Sequence, residues 1–265
     1  QKIIEETPSP FIDEKLREKL SQTAVNITQS CNYSGAGTVE FLVDKQKNFY
    51  FLEMNTRLQV EHPITEMITG LDLVKEQIRV AAGKTLSLTQ DNIKREGHAI
   101  ECRIYAEDGF NHFDPSMGVI TEMTLPSGLG VRMDEGVNVG QQITHYYDSL
   151  LGKLITWGNN RQTALQRMIR ALGEFHIAGI ESSIPFCLMV FRHKSFQDGQ
   201  YSTHTLDNIK DELLEKLKMH REEQILAARI GAVQMHHESK THSMKKDTGV
   251  KTSNWVSTGR KDELR

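Results

Sequence analysis

Five polar side chains recur at every second position between Phe49 and Pro63: Glu53, Asn55, Arg57, Gln59 and Glu61. Successive side chains of a strand point to opposite faces, so these five share one face for as long as the backbone stays extended. Leu52, Met54, Leu58 and Val60 take the other face. A solvated strand face normally carries Thr, Lys and Ser. Two carboxylates, two amides and a guanidinium suit a divalent cation or general acid/base chemistry, because close carboxylates repel unless a cation or a proton stands between them.

The elements that must position these groups are strands. Phe49-Tyr50-Phe51-Leu52 is a run of bulky β-formers. Upstream, Gly35-Ala36-Gly37 leads into Thr38-Val39-Glu40-Phe41-Leu42-Val43, and the polar run 44–48 returns the chain to Phe49, which predicts a β-hairpin with a five-residue loop. Glu40 then lies near Glu53 across the ladder. If the register puts both on one face, Glu40, Glu53 and Asn55 form a hard oxygen cluster suited to Mg2+ or Mn2+ bound with substrate phosphates; otherwise Glu40 is an ordinary strand carboxylate.

The run Gly35-Ala36-Gly37-Thr38-Val39-Glu40-Phe41, followed by Phe51-Leu52-Glu53-Met54-Asn55-Thr56-Arg57-Leu58-Gln59-Val60-Glu61-His62-Pro63-Ile64-Thr65-Glu66, resembles the catalytic end of biotin carboxylase, the ATP-grasp component of acyl-CoA and pyruvate carboxylases. The likeness continues through Gly97-His98-Ala99-Ile100-Glu101-Cys102-Arg103-Ile104-Tyr105-Ala106-Glu107-Asp108 and Tyr146-Tyr147-Asp148-Ser149-Leu150, and covers roughly residues 1–206. It implies an α+β chain: the C-terminal part of an ATP-grasp fold over 1–83, then the family's C-terminal α+β domain over 84–206. It also implies that the family's N-terminal domain, with its glycine-rich lid and ATP-gripping lysines, lies upstream of Gln1.

The same resemblance assigns roles. Glu40, Glu53 and Asn55 would hold the metal, Glu61 would deprotonate bicarbonate, and Gln59 with the backbone N–H of Val60 would fix it. Arg57 offers a planar fork of donors to bicarbonate and then to the enolate-like oxygen of biotin, and Arg103 matches a second arginine supporting that oxyanion. Arg103 could equally be a strand arginine paired with Glu101 or Glu107. Lys2 matches a lysine near the phosphate and bicarbonate. Leu42 and Leu52 would wall the adenine pocket, or would simply be buried packing. ATP, Mg2+ or Mn2+ and biotin on a carrier protein are the implied cofactors and substrates. The implied partners are a biotin carboxyl carrier protein, a carboxyltransferase, the N-terminal half of the carboxylase, and a second copy in a homodimer with a surface near Leu129 and Arg132.

Composition sets outer bounds. A chain of 265 residues can bury a full core, and a net charge of −3 argues against a general nucleic-acid binder. Cys31, Cys102 and Cys187 are scattered and odd in number, which fits a reducing compartment better than a disulfide scaffold. No segment reads as a signal peptide or a membrane span, so a soluble protein of the cytoplasm, or of the mitochondrial matrix in a eukaryote, is expected, without a membrane partner.

Elsewhere the elements read as scaffold. Asp13 caps a predicted helix to about Gln29, and Leu73, Val74, Ile78 and Ala81 give an apolar stripe ending at Gly83. Strands are predicted at 99–106, 119–125, 130–133 and 148–157, and helices at 161–175 and 184–191. Residues 207–235 form an amphipathic extension, with a helix over 207–230 carried by Leu206, Ile209, Leu213, Leu217, Ile225 and Leu226. A mobile, modestly basic tail follows over 236–265. Three signals in that tail carry little: Lys261-Asp262-Glu263-Leu264 is followed by Arg265, Met244-Lys245 lacks the small β-domain that presents biotin, and His236, His237 and His242 lack a second shell.

Two classes of function follow. The chain is part of a ligase that carboxylates biotin, or it is an assembly module that keeps the scaffold without turnover. Among ligases, carbamoyl phosphate synthase also activates bicarbonate.

Overall fold

The strand around which the molecule packs is β4 (His98–Tyr105), buried along almost its whole length. It pairs antiparallel with β1 (Ile4–Thr7) on one side and β11 (Leu150–Gly158) on the other, and β11 pairs with β9 (Val131–Glu135). The sheet order is therefore β1-β4-β11-β9. The computed structural model describes residues 2–86, 88–109 and 111–245, with side chains through residue 236.

In chain order, β1 is followed by α1 (Glu14–Ser30), β2 (Thr38–Val43), β3 (Phe49–Asn55), α2 (His62–Thr69) and α3 (Leu73–Ala81). After β4 come the short strands β5 (Glu107–Asp108), β6 (Asp114–Pro115), β7 (Gly118–Val119) and β8 (Glu122–Thr124), then β9, β10 (Gln142–Ile143) and β11. The chain continues through α4 (Arg161–Glu174), β12 (His176–Ala178), α5 (Ile184–Arg192), α6 (Lys194–Gln197) and α7 (Thr205–Lys245). Contacts divide it into two units, 1–217 and 218–265.

Two helical layers cover the four-stranded sheet. On one face Ile100, Cys102, Ile104 and Leu154 pack against Leu165, Met168 and Leu172 of α4 and Phe191 of α5. Asn160 caps α4 by accepting from the Thr163 N–H at 2.8 Å, and Ala164, Leu165, Met168, Ala171 and Leu172 then fall on one stripe. Each large side chain in that stripe contributes roughly 1.5–3 kcal/mol of transfer free energy. On the other face Ile64 and Ile68 of α2 meet Ala99 and Ile155. Gly97, at φ +77°, lets the chain enter β4 close against Trp157 and the Gly158 carbonyl, where a Cβ has no room.

The predicted hairpin is present as the two-stranded ladder β2–β3, with a β-bulge between Glu40 and Phe41 that sequence patterning did not anticipate. The Asp13-capped helix forms as α1, with the Leu16 N–H donating to Asp13 at 2.9 Å. The strand expected over 119–125 is broken into β7 and β8, which pair with β10 and β12 respectively, so the segment switches partners in its middle.

The amphipathic stretch is longer than its sequence pattern suggested. Leu213 and Leu217 of α7 are buried, whereas Ile225 and Leu226 are exposed, and the helix continues to Lys245. The tail expected from 236 thus begins as helix. Residues 246–265, including the Lys261–Leu264 run, lie outside the described residues, as do the side chains of His237 and His242.

Candidate active site

The β2–β3 register pairs Glu40 directly with Glu53, and Thr38 with Asn55, so both carboxylates stand on one face. The Asn55 Nδ2 atom lies between them, donating to Glu40 at 3.1 Å and to Glu53 at 3.0 Å. The two hydrogens of a single amide nitrogen thus reach both carboxylates. A divalent ion demands the same convergence of hard oxygens, with the Asn55 amide turned so that its oxygen faces in. By donor chemistry these residues fit Mg2+ or Mn2+. Among the described residues no group of three His, Cys, Asp or Glu side chains converges, so an ion here would rest on the two carboxylates, the Asn55 amide oxygen and substrate oxygens.

Lys2 joins this group, its Nζ 2.9 Å from Glu40 Oε1, and that hydrogen bond holds the ammonium pKa above its ordinary value. Leu42 and Leu52 are half-exposed rather than buried, so packing within this chain does not explain them.

Beyond Asn55 the strand ends, and the alternation that put Arg57, Gln59 and Glu61 on the same face ends with it. The side chains are brought together by a turn. Arg57 is exposed, with Nη1 donating to the Leu58 carbonyl at 3.2 Å and Nη2 to Asn55 Oδ1 at 3.4 Å. Gln59 is buried. With its amide in the satisfied orientation it donates to both Glu61 carboxylate oxygens at 2.8 and 3.2 Å and accepts from Asn55 at 3.0 Å. Glu61 opens α2, where Pro63 needs no N–H partner in the first turn. Arg57, Gln59 and Glu61 line an open cleft of about 950 Å3 shared with Tyr33, Gly35 and Glu76, and the Glu40–Glu53 pair stands beside that cleft rather than in its lining.

Arg103 reaches the same cluster from β4. Its Nη2 donates to Glu61 Oε2 at 2.9 Å and lies 2.5 Å from Glu5 Oε1. Neither Glu101 nor Glu107 is its partner: Glu107 accepts from the Ser149 hydroxyl at 3.0 Å. Burial works hardest against the guanidinium charge, but Glu5, Tyr105 and Glu61 together outweigh it and raise the Arg103 pKa. Val60 is tied in by its carbonyl, which accepts from Lys153 at 3.0 Å.

Sequence reasoning named Glu101 only as a possible partner of Arg103 and did not single out Glu5, which pairs with Arg103, or Lys153 and Asp134, which lie beyond it across β11 and β9. Lys153 is its cross-strand neighbour on β11, and Asp134 ion-pairs with Lys153 at 3.5 Å. The alternation Glu101-Cys102-Arg103 inside an otherwise apolar strand marks this face as charged, but no local pattern points to the partners on β1, β11 and β9. Near the expected dimer surface Leu129 is exposed, but Arg132 is engaged within the chain, at 2.7 Å from both Glu66 and Asp134.

The geometry can now be set beside known proteins. The biotin carboxylase C-terminal domain matches residues 101–208, and the ATP-binding domain of the carbamoyl-phosphate synthase L chain matches residues 1–89. A biotin carboxylase from Nostoc is 54% identical over 203 residues, covering 77% of this chain and 45% of its own length. The chain belongs to the biotin carboxylase family.

Other relatives agree with this membership. Biotin carboxylase 1 of Bacillus subtilis is 50% identical over 208 residues, covering 78% of this chain and 46% of its own length. Among solved structures, the biotin carboxylase domain dimer of Hydrogenobacter thermophilus 2-oxoglutarate carboxylase, in complex with MgADP, ADP and bicarbonate, superposes with a TM-score of 0.78 at 42% identity. That match covers 81% of this chain and 47% of the other. The chain therefore spans about half the length of the biotin carboxylases it matches, and its mixed helix-and-sheet architecture is the α+β fold expected of their ATP-grasp family. Among the described residues no helix is long and apolar enough to cross a membrane.

Proposed function

We propose that this chain carries the catalytic end of a biotin carboxylase, which uses ATP and bicarbonate to carboxylate biotin on a carrier protein through carboxyphosphate, as part of an acyl-CoA or pyruvate carboxylase. One observation carries the reading: Glu40, Glu53 and Asn55 from a hairpin, Gln59 and Glu61 from the turn into α2, and Arg103 from β4 form one chain of hydrogen bonds and ion pairs.

In this reading Glu61 takes the proton of bicarbonate while Gln59 and the Val60 N–H hold it, and the bicarbonate oxygen attacks the γ-phosphorus of ATP as ADP leaves. Mg2+ or Mn2+ bound by Glu40, Glu53 and Asn55 supplies neutralisation of the phosphate charge. Lys2 faces the same phosphates. Carboxyphosphate separates into CO2 and phosphate, the phosphate removes the N1 proton of biotin, and N1 attacks CO2. Arg57 and Arg103 face the negative charge that develops on the ureido oxygen, where fixed donors lower the barrier. Leu42 contributes to the wall of the adenine pocket. The segment 1–83 acts as the ATP-grasp part, 84–206 as the family's C-terminal domain, and 207–235 as a helical extension. A carrier protein, a carboxyltransferase, the rest of a carboxylase chain and a second copy are the partners, in the cytoplasm or the mitochondrial matrix.

The test is bicarbonate-dependent ATP hydrolysis with free biotin, using this chain alone and together with the complementary half of a relative. Carboxybiotin as product supports the reading. Carbamoyl phosphate formed with ammonia would move the chain to carbamoyl phosphate synthesis, and no bicarbonate-dependent turnover in either mixture would leave an assembly module.

A further inference from the structure

Glu5 of β1 and Glu101 of β4 are directly opposed across the ladder. Glu101 is fully buried, and among the described residues neither of its carboxylate oxygens has a hydrogen-bond partner. Arg103, two residues on, shares its strand face, and Lys153 follows across from Arg103 on β11. The surrounding charges can be counted. Glu5, Glu101, Glu61 and Asp134 are four acids, and Arg103 and Lys153 are the two cations among them. From α2, His62 lies 4.0 Å from Glu66, and Glu66 is paired with Arg132, so neither adds a free cation. Lys2 bonds Glu40 instead.

Two ionised carboxylates facing each other in a dry interior is the costly arrangement that a shared or retained proton relieves. The two cations are already engaged: Arg103 bridges Glu5 and Glu61, and Lys153 bonds the Val60 carbonyl. An ionised Glu101 would compete for both.

We propose that Glu101 is a positioning residue that keeps its proton, and that its neutral carboxyl leaves Arg103 free to bridge Glu5 and Glu61 and leaves Lys153 on the Val60 carbonyl. The arrangement itself does not depend on the function proposed above; its relevance to biotin carboxylation rests on that reading. Burial, followed by the charge of Glu5, pushes Glu101 up to about 8, and burial pushes Glu5 up to about 7, consistent with retention of a proton at neutral pH.

The experiment reads protonation and side-chain position by NMR on the chain as it stands, so a failure here is separable from a failure of the carboxylase reading. Glutamate labelled with 13C at the carboxyl is titrated, with the Glu101 signal identified by its loss in E101Q, and the 15N signals of the Arg103 guanidinium and the Lys153 ammonium are followed in parallel. The expected result is a Glu101 carboxyl titrating near pH 8, with the Arg103 and Lys153 signals moving at the same midpoint in the parent and losing that step in E101Q, where only the Glu5 step remains. A Glu101 titrating in the ordinary carboxylate range overturns the proposal. So does a high midpoint that moves neither cation, which would leave Glu101 as buried filler. If E101Q does not fold, E5Q decides, because it removes the other raised glutamate: no glutamate titrating above the ordinary range in E5Q overturns the proposal, and cation signals that share an elevated midpoint there support it.

Discussion

Arg103 on β4 and Glu61 at the start of α2 are 42 positions apart and meet at 2.9 Å, joining the central sheet to the turn that carries Arg57 and Gln59. The Arg103 side chain is 9% exposed and that of Glu61 24%, so this pair is largely shielded from water. Removing one partner strands the other charge. R103A is expected to destabilise the fold by about 3–5 kcal/mol, because Glu5 and Glu61 both lose their cation. Urea unfolding of the variant against the parent measures this; a loss under about 1 kcal/mol would show that the guanidinium is solvent-screened instead.

A second prediction concerns pH. Glu101 and Glu5 are held near 8 and 7 in the fold by burial, against about 4.5 when unfolded. Between these values the folded chain binds more protons than the unfolded one, so both groups contribute a stability that is complete below pH 4.5 and falls as pH rises through 7 and 8. E101Q should flatten much of that decline, leaving the variant more stable than the parent at pH 8 relative to their order at low pH. Chemical denaturation over this range checks the slope.

Glu6 behaves in the opposite sense. Burial works to raise its pKa, but hydrogen bonds from His98 at 2.6 Å, Arg161 at 2.9 Å and Tyr201 at 2.5 Å hold it below the ordinary carboxylate value. Its contribution is present above pH 4.5 and is lost as pH falls through the lowered value. In E6Q the acid limb of the stability profile should become shallower, and neutral-pH stability should drop by about 3 kcal/mol, since Arg161, whose side chain is only partly exposed, is left without its counter-ion. Acid titration followed by circular dichroism tests both.

The metal prediction is local. Mn2+ added to the chain should broaden the Asn55 side-chain amide resonances first, because that amide sits between Glu40 and Glu53. E53Q should abolish the effect at the same concentration. Broadening that persists in E53Q, or that starts at the exposed surface histidines, would remove the hairpin from consideration as the ion site.

The core offers a control independent of function. Met168 of α4 is fully buried against the sheet, and M168A should cost about 2–5 kcal/mol through lost transfer energy and the cavity left behind. Calorimetric unfolding gives the value.

Sequence alone was enough to place the hairpin, because the polar run 44–48 between two β-forming segments is a local signal and the ladder it closes is also local. It also set Glu53 and Asn55 on one face, since the strand period acts within three residues. The capped helix α1 was legible for the same reason, since Asp13 bonds an N–H three residues away; the Asn160 cap of α4 emerged only from the structure. Alternation could not say where the strand stops. It ends at Asn55, and Arg57, Gln59 and Glu61 are arranged by the turn that leads into α2, with Glu61 the residue just before the helix. The partners of Arg103 were invisible as well, because Glu5 and Glu61 reach it from β1 and α2, elements that only the packing of α2 on the four-stranded sheet brings together. Periodicity reports which side of an element faces inward; which charges share that interior, and so which must keep a proton, depends on distances that the chain acquires only once folded.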